Sequence, residues 1–223
     1  MKNNKFKIYP SILTADLGQL EKQITTAEEN GVDGFHIDIM DGQFVPPITF
    51  GPIIVSHIRK ITELPIDIHM MVINPDRFFE ELLLAGADSI TIHYESTSDF
   101  DKTIEKLLEL KVESSIAINP DTQLVDVQNY LTEINQILIM SVNPGYGGQK
   151  FIPSSIQKIE SAKSLINDLN LKTKIQVDGG INSNTIDSVL VAGADIVVAG
   201  SAVYNDNSDI KTSIQTLKDS ISL

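Results

Sequence analysis

Short runs of β-branched and other apolar residues recur along this chain, separated by stretches in which apolar positions return every three or four residues. The runs fall at residues 7–9, 34–40, 66–72, 89–93, 115–119, 136–142, 174–178 and 195–199. Helical periodicity marks 17–30, 52–61, 76–84 and 154–169, and a last amphipathic segment covers 210–221. Eight strands alternating with helices predict a parallel sheet covered by helices. Two closures compete: a doubly wound open sheet and a (β/α)₈ TIM barrel. The barrel fits the count of eight, and Pro10-Ser11-Ile12-Leu13 stands where a dinucleotide-binding sheet carries its glycines after the first strand. No Pro-, Ser- or Gly-rich linker divides the chain, so residues 1–223 are expected to form one barrel domain.

Successive strand residues face opposite sides. His36, Asp38 and Met40 therefore share one face, and Phe35, Ile37 and Ile39 share the other. The apolar face is suited to packing on helices, which turns the first set into the barrel. Asp67, His69 and Met71 repeat the arrangement, and Gln176 and Asp178 share a face against Ile175 and Val177. Ionisable groups are thus aimed inward near the C-terminal strand ends, where barrel enzymes place their chemistry.

Composition narrows the partner. The 223 residues carry a formal net charge of −13 with no Lys/Arg-rich run, which excludes an electrostatic footprint for nucleic acid or an anionic membrane. A small molecule is expected, and an anionic one would need local attraction from backbone N–H groups or a cation. Without cysteine, metal ligands must be His, Asp or Glu, and nothing points to an oxidising compartment. The polar N-terminus, residues 1–7, lacks the apolar core of a signal peptide, and no later segment reads as membrane-spanning, so a cytoplasmic protein is expected.

Two constellations carry chemistry. His36, Asp38, His69 and Asp178 converge as two imidazoles and two carboxylates, a donor set for one divalent metal ion per chain, with Zn²⁺, Fe²⁺, Mn²⁺ and Co²⁺ all suited. With a carbonyl substrate between them, Asp38 and Asp178 form a candidate acid/base pair: one removes the proton next to the carbonyl and the other delivers one to the opposite face. The second constellation is glycine-rich. Gly145, Tyr146, Gly147 and Gly148 follow the sixth strand, Gly179 and Gly180 the seventh, and Gly200 and Ser201 the eighth, where barrel enzymes commonly bind phosphate through backbone N–H groups. Met40, Met71 and Met140 fall near strand ends as candidate apolar site lining. His57 and His93 have no evident partners and read as structural. Ser11 is a donor to substrate or, more simply, to backbone.

With these residues in view, the chain resembles the ribulose-phosphate 3-epimerase family from end to end. The resemblance is carried by Pro10-Ser11-Ile12-Leu13-x-Ala15-Asp16, by His36-Ile37-Asp38-Ile39-Met40-Asp41-Gly42-x-Phe44-Val45-Pro46 and by His69-Met70-Met71-Val72. It continues through Val142-Asn143-Pro144-Gly145-Tyr146-Gly147-Gly148-Gln149-x-Phe151-Ile152 and Val177-Asp178-Gly179-Gly180-Ile181. It implies interconversion of D-ribulose 5-phosphate and D-xylulose 5-phosphate in the pentose phosphate pathway, and a homo-oligomer. It further implies metal ligation by His36, Asp38, His69 and Asp178, acid/base roles for Asp38 and Asp178, and substrate or phosphate contacts from Ser11, His69, Gly145, Tyr146, Gly147, Gly148, Asp178, Gly179, Gly180, Gly200 and Ser201. Departures from the family pattern are Met70 for Leu, Tyr146 for Phe and Pro47 for Asn. Competing readings are an allulose-6-phosphate 3-epimerase, a metal-free decarboxylase or lyase, for which Lys174 lies at the wrong end of its strand, and a non-catalytic sugar-phosphate sensor.

Overall fold

A computed structural model describes residues 6–222. Part of the N-terminal segment discussed above therefore lies outside the described residues. The strands are β1 (Lys7–Tyr9), β2 (Phe35–Met40), β3 (Ile66–Met71), β4 (Ser89–His93), β5 (Glu113–Ile118), β6 (Gln136–Met140), β7 (Lys174–Asp178) and β8 (Ile196–Val198). All pair in parallel, in the order β1-β8-β7-β6-β5-β4-β3-β2. The ends of that order meet: His36 N–H donates to the Pro10 carbonyl at 2.9 Å and Asp33 N–H to the Ile8 carbonyl at 3.0 Å, with Ser11 and His36 forming a parallel bridge. The sheet closes on itself as a barrel, not as the open doubly wound alternative.

Helices α1 (Leu20–Glu29), α2 (Pro52–Arg59), α3 (Phe79–Ala85), α4 (Phe100–Leu108), α5 (Ser155–Asp168), α6 (Ile186–Val191) and α7 (Ile210–Asp219) wrap the outside. Between β5 and β6 the connection is two 3₁₀ turns, Leu124–Asp126 and Gln128–Thr132. Two of the helices, α4 and α6, have no counterpart in the sequence-predicted segments. α4 shows why: it buries Phe100, Thr103, Ile104 and Leu107, a helical spacing with a threonine in place of one apolar residue. The Asp99 side chain caps it by accepting from Lys102 N–H. α6 has six residues, too few to show a period.

The main core lies between sheet and helices. Phe35, Ile37 and Ile39 of β2 and Ile66, Ile68 and Met70 of β3 all belong to it, as the alternation predicts. Burying each such side chain is worth about 1.5–3 kcal/mol. Met70 therefore faces the helices, away from the barrel interior, so its departure from the family pattern is a core exchange. The inward residues fall into register across the β2–β3 pair: His36 opposite Asp67, Asp38 opposite His69, Met40 opposite Met71. Adjacent strands lie about 4.8 Å apart, so this register alone brings two His/Asp pairs within bonding reach. Asp178, at the end of β7, pairs in register with Met140 of β6.

Candidate active site

The barrel is floored by polar contacts. Asp67 is fully buried, and its carboxylate accepts from the Ser89 hydroxyl, from Gln176 Nε2 at 2.6 Å, from Gln136 Nε2 at 3.3 Å and from His36 Nδ1 at 2.7 Å. Burial alone would push its pKa up, but these donors, His36 first, hold it below the usual carboxylate value. An ionised Asp67 can only accept, so the His36 proton sits on Nδ1 and the opposite nitrogen, Nε2, points up the barrel.

One layer higher, four side chains close on a point. His36 Nε2 lies 3.4 Å from Asp38 Oδ1 and 3.8 Å from Asp178 Oδ2, and His69 Nδ1 lies 3.0 and 3.6 Å from the same two oxygens. One donor atom from each residue fits within 4.8 Å of all the others. Three of the four are buried and Asp178 is partly exposed, so the cluster opens to the cleft on the Asp178 side. His36 Nε2 is buried without a hydrogen-bond partner. An unpartnered buried nitrogen is costly unless something is meant to meet it, and here its lone pair faces two carboxylates. That donor set fits a divalent cation. The same carboxylates favour the charged imidazoles: burial lowers the pKa of both, but Asp38 and Asp67 hold His36 well above the usual histidine value, and Asp178 and Asp38 raise that of His69. Burial likewise opposes ionisation of Asp38, and the His36 and His69 imidazoles bring its pKa far below the carboxylate range.

Two residues around this cluster are placed differently from the sequence reading. Ser11, expected to serve backbone, accepts from Leu13 N–H and also donates its own proton to Asp38 Oδ2 at 2.5 Å. His93, expected to lack partners, has three. Its ring lies edge to edge with that of His69, centroids 5.0 Å apart and planes 27° apart, its Nε2 meets His69 Nε2 at 2.9 Å, and its Nδ1 meets Glu95 Oε2 at 3.0 Å. Phe44 packs against the His93 ring, with centroids 4.8 Å apart. Burial lowers the His93 pKa to about 4, keeping the ring neutral. His57 does match its structural reading, with Nδ1 bonded to the Ile53 carbonyl on the surface of α2.

The cleft above the cluster brings the remaining candidates together. Met40, Met71 and Met140 line it beside Ser11, Asp38 and Asp178, each methionine at most 2% exposed. Gly145, Tyr146, Gly147 and Gly148 form one wall, and Gly179, Gly180, Gly200 and Ser201 another. No lysine or arginine is among the lining residues, so an anionic group here would be met by backbone. Among the described residues, the N–H groups of Gly179, Gly180, Gly200 and Ser201 have no acceptor within the protein. They are free for an anion. The two adjacent glycines have a packing reason as well: both sit at positive φ, and a Cβ on Gly179 would lie 2.8 Å from the Val142 nitrogen, one on Gly180 2.4 Å from the Phe151 nitrogen. The loops after β2 and β6 touch, with Val45 against Gly145. Tyr146 is largely exposed at their rim.

Comparison with known proteins agrees with this geometry. The model of the ribulose-phosphate 3 epimerase family matches residues 7–204. The chain is 42% identical over 215 residues to ribulose-phosphate 3-epimerase of Bacillus subtilis (strain 168), covering 96% of this chain and 99% of that protein. It is 43% identical over 216 residues to the enzyme of that name from Methanocaldococcus jannaschii, covering 96% and 90%. Against the Escherichia coli (strain K12) enzyme the identity is 36% over 215 residues, covering 96% and 95%. Among solved structures, a KGPDC from Streptococcus mutans superposes with a TM-score of 0.71 at 16% identity, covering 97% of both chains. The 3-hexulose-6-phosphate synthase from Salmonella typhimurium gives 0.70 at 18%, covering 97% and 98%. At that identity the structural likeness speaks for the barrel alone.

Proposed function

Because the chain belongs to the ribulose-phosphate 3-epimerase family and is thus an isomerase of the epimerase type, we propose that it interconverts D-ribulose 5-phosphate and D-xylulose 5-phosphate at the His36/Asp38/His69/Asp178 cluster. The observation that carries this reading is the convergence of the two carboxylates and two imidazoles at the floor of a cleft whose far wall presents free backbone N–H groups. The catalytic unit in this reading is the barrel of residues 1–223. No helix among the described residues is long and apolar enough to cross a membrane.

His36 Nε2, His69 Nδ1 and one oxygen each of Asp38 and Asp178 would hold the divalent cation. Its contribution when bound is positive charge opposite the oxygen that becomes anionic as a proton leaves the adjacent carbon. Asp38 and Asp178 enter the site from β2 and β7. A sugar carbon between them faces one carboxylate on each side. One takes the C3 proton as the other stands ready to return a proton on the opposite face, and the stereocentre inverts. Ser11, donating to Asp38 Oδ2, fixes the orientation of that carboxylate. The three methionines exclude water from the reacting carbon, and the glycine N–H groups anchor the phosphate, converting its binding energy into placement of C3.

The direct test is turnover of D-ribulose 5-phosphate by the purified protein together with its metal content. Activity with stoichiometric metal is the expected result, with a higher kcat/KM than for the 6-phosphate of the hexulose allulose. Higher efficiency on the hexulose phosphate would move the assignment to that substrate, and no turnover of either would overturn it.

A further inference from the structure

Both imidazoles of the cluster are backed by a carboxylate, by routes of different length. His36 meets Asp67 directly. His69 reaches Glu95 through a second imidazole: its Nε2 lies 2.9 Å from His93 Nε2, and His93 Nδ1 lies 3.0 Å from Glu95 Oε2. The other Glu95 oxygen accepts from Asn119 N–H at 2.8 Å and from the Thr122 hydroxyl. The route therefore begins at groups fixed to the end of β5 and ends at a proposed metal ligand.

Hydrogen-bond direction along this route is determined from its ends. A neutral imidazole that offers its Nδ1 lone pair to a cation carries its proton on Nε2. His69 must then donate to His93 Nε2. That nitrogen, as acceptor, carries no proton, so the proton of His93 lies on Nδ1, where the Glu95 carboxylate accepts it. Reversing any one bond reverses the rest. With a proton donor in place of the Glu95 oxygen, His93 would carry its proton on Nε2, and His69 would carry its own on Nδ1, facing the cluster with N–H instead of a lone pair.

We propose that His93 and Glu95 are positioning residues that act through His69, Glu95 setting the tautomer of His93 and His93 that of His69, so that the Nδ1 lone pair is aimed between Asp38 and Asp178. The inference rests on the reading that these four residues hold a cation. It extends the site to two residues that touch neither substrate nor metal. A purely structural His93 would require only that its volume be filled and its nitrogens bonded, with no dependence of the metal on which nitrogen carries hydrogen.

Glu95→Gln separates the two. If its amide oxygen keeps the Asn119 and Thr122 bonds, its NH₂ faces His93 Nδ1 and the tautomers reverse. The Zn²⁺ affinity of the full chain, measured by competition with a chromophoric chelator, should fall roughly 10- to 100-fold, with the circular dichroism of the fold retained. Glu95→Leu, which has no acceptor in any orientation, should show the same loss and excludes a flipped amide as a mask. Imidazole ¹⁵N–¹H correlations of the Zn²⁺-loaded wild type should read Nδ1–H for His93 and Nε2–H for His69, with His93 changing to Nε2–H in the metal-free Gln variant at a pH where His69 is neutral. Unchanged Zn²⁺ affinity in both variants, or Nε2–H at His93 in the loaded wild type, overturns the proposal. If the wild type binds metal and turns over but the variants match it, the relay alone fails. Wild type that takes up no divalent metal sinks the cation reading of the cluster, and the relay with it.

Discussion

His36 Nδ1 donates to Asp67 Oδ2 across 2.7 Å, and this one bond decides which way the other nitrogen faces. Asp67 is 0% exposed and collects four donors. Asp67→Ala would leave His36 Nδ1, the Ser89 hydroxyl and Gln176 Nε2 without this acceptor in the barrel interior, while Gln136 Nε2 keeps its bond to Gln176 Oε1, so a destabilisation of about 3–5 kcal/mol is expected. Denaturant unfolding measures it, and weaker metal binding should accompany it in protein still folded. A loss under ~1 kcal/mol would mean that the floor is not held by this carboxylate.

Exhaustive chelation should abolish epimerisation and a divalent transition metal should restore it, since the anionic oxygen otherwise lacks a counter-charge. His36→Ala and His69→Ala should each lower metal occupancy with the fold retained. Full turnover by demetallated protein, or normal metal content in both variants, would place the ligands elsewhere.

Metal uptake should depend on pH in a defined direction. Burial disfavours protonation of His36 and His69, but the carboxylates around them raise both above the usual histidine value in the metal-free chain. A histidine raised on folding stabilises the fold fully below its unfolded value of about 6.5, and that contribution is lost as pH rises through the folded pKa. A cation displaces the same protons. Apparent affinity should therefore climb with pH, and the gap between loaded and metal-free unfolding temperatures should widen with it. Calorimetry in buffers of different ionisation enthalpy would detect the released protons. No release at neutral pH would show that the metal-free imidazoles are already neutral.

The inward placement of His36, Asp38 and His69 was legible because strand alternation is a local property, written in the residues themselves. What they touch was less so. His93 and Glu95 repeat the two-residue spacing of His36 and Asp38, a signal that could have marked them, but the contact with His69 depends on how β4 sits beside β3 and is not written in either segment. Asp67 was placed on the right face, yet its partners Gln136 and Gln176 come from strands 69 and 109 positions away. The glycines were read for phosphate approach alone. Packing against Val142 and Phe151 imposes a second requirement that only the folded chain reveals.

That second requirement selects the variant for the phosphate wall. Alanine at Gly179 would meet backbone and disturb the fold, whereas a Cβ on Gly200 meets only side chains, the nearest atom being the Thr14 hydroxyl at 3.2 Å. Gly200→Val should then obstruct anion approach, lowering kcat/KM for ribulose 5-phosphate by tenfold or more, about 1.4 kcal/mol. Turnover of free ribulose, expected to be poor because it lacks the phosphate anchor, should change little. Equal losses on both substrates would assign Gly200 to packing.

The two carboxylates are not equivalent in their surroundings, which makes the division of labour between them testable. Asp38 is buried and held by Ser11 and His69, whereas the Asp178 side chain is 17% exposed at the cleft. If each serves one face of the substrate, Asp178→Asn stops inversion while Asp38 still removes and returns a proton on its own side. In deuterated water the variant should place deuterium at C3 of one epimer without converting it, and Asp38→Asn should favour the other epimer. Both residues are also proposed ligands, so metal content has to be matched to wild type by loading before the comparison. Ser11→Ala supplies a third arm that spares the ligand set: it removes the bond orienting Asp38 and should slow exchange on the Asp38 face more than on the Asp178 face. Deuterium entering both epimers in either metal-loaded Asp variant would show that one carboxylate reaches both faces, and the two-base assignment would be wrong.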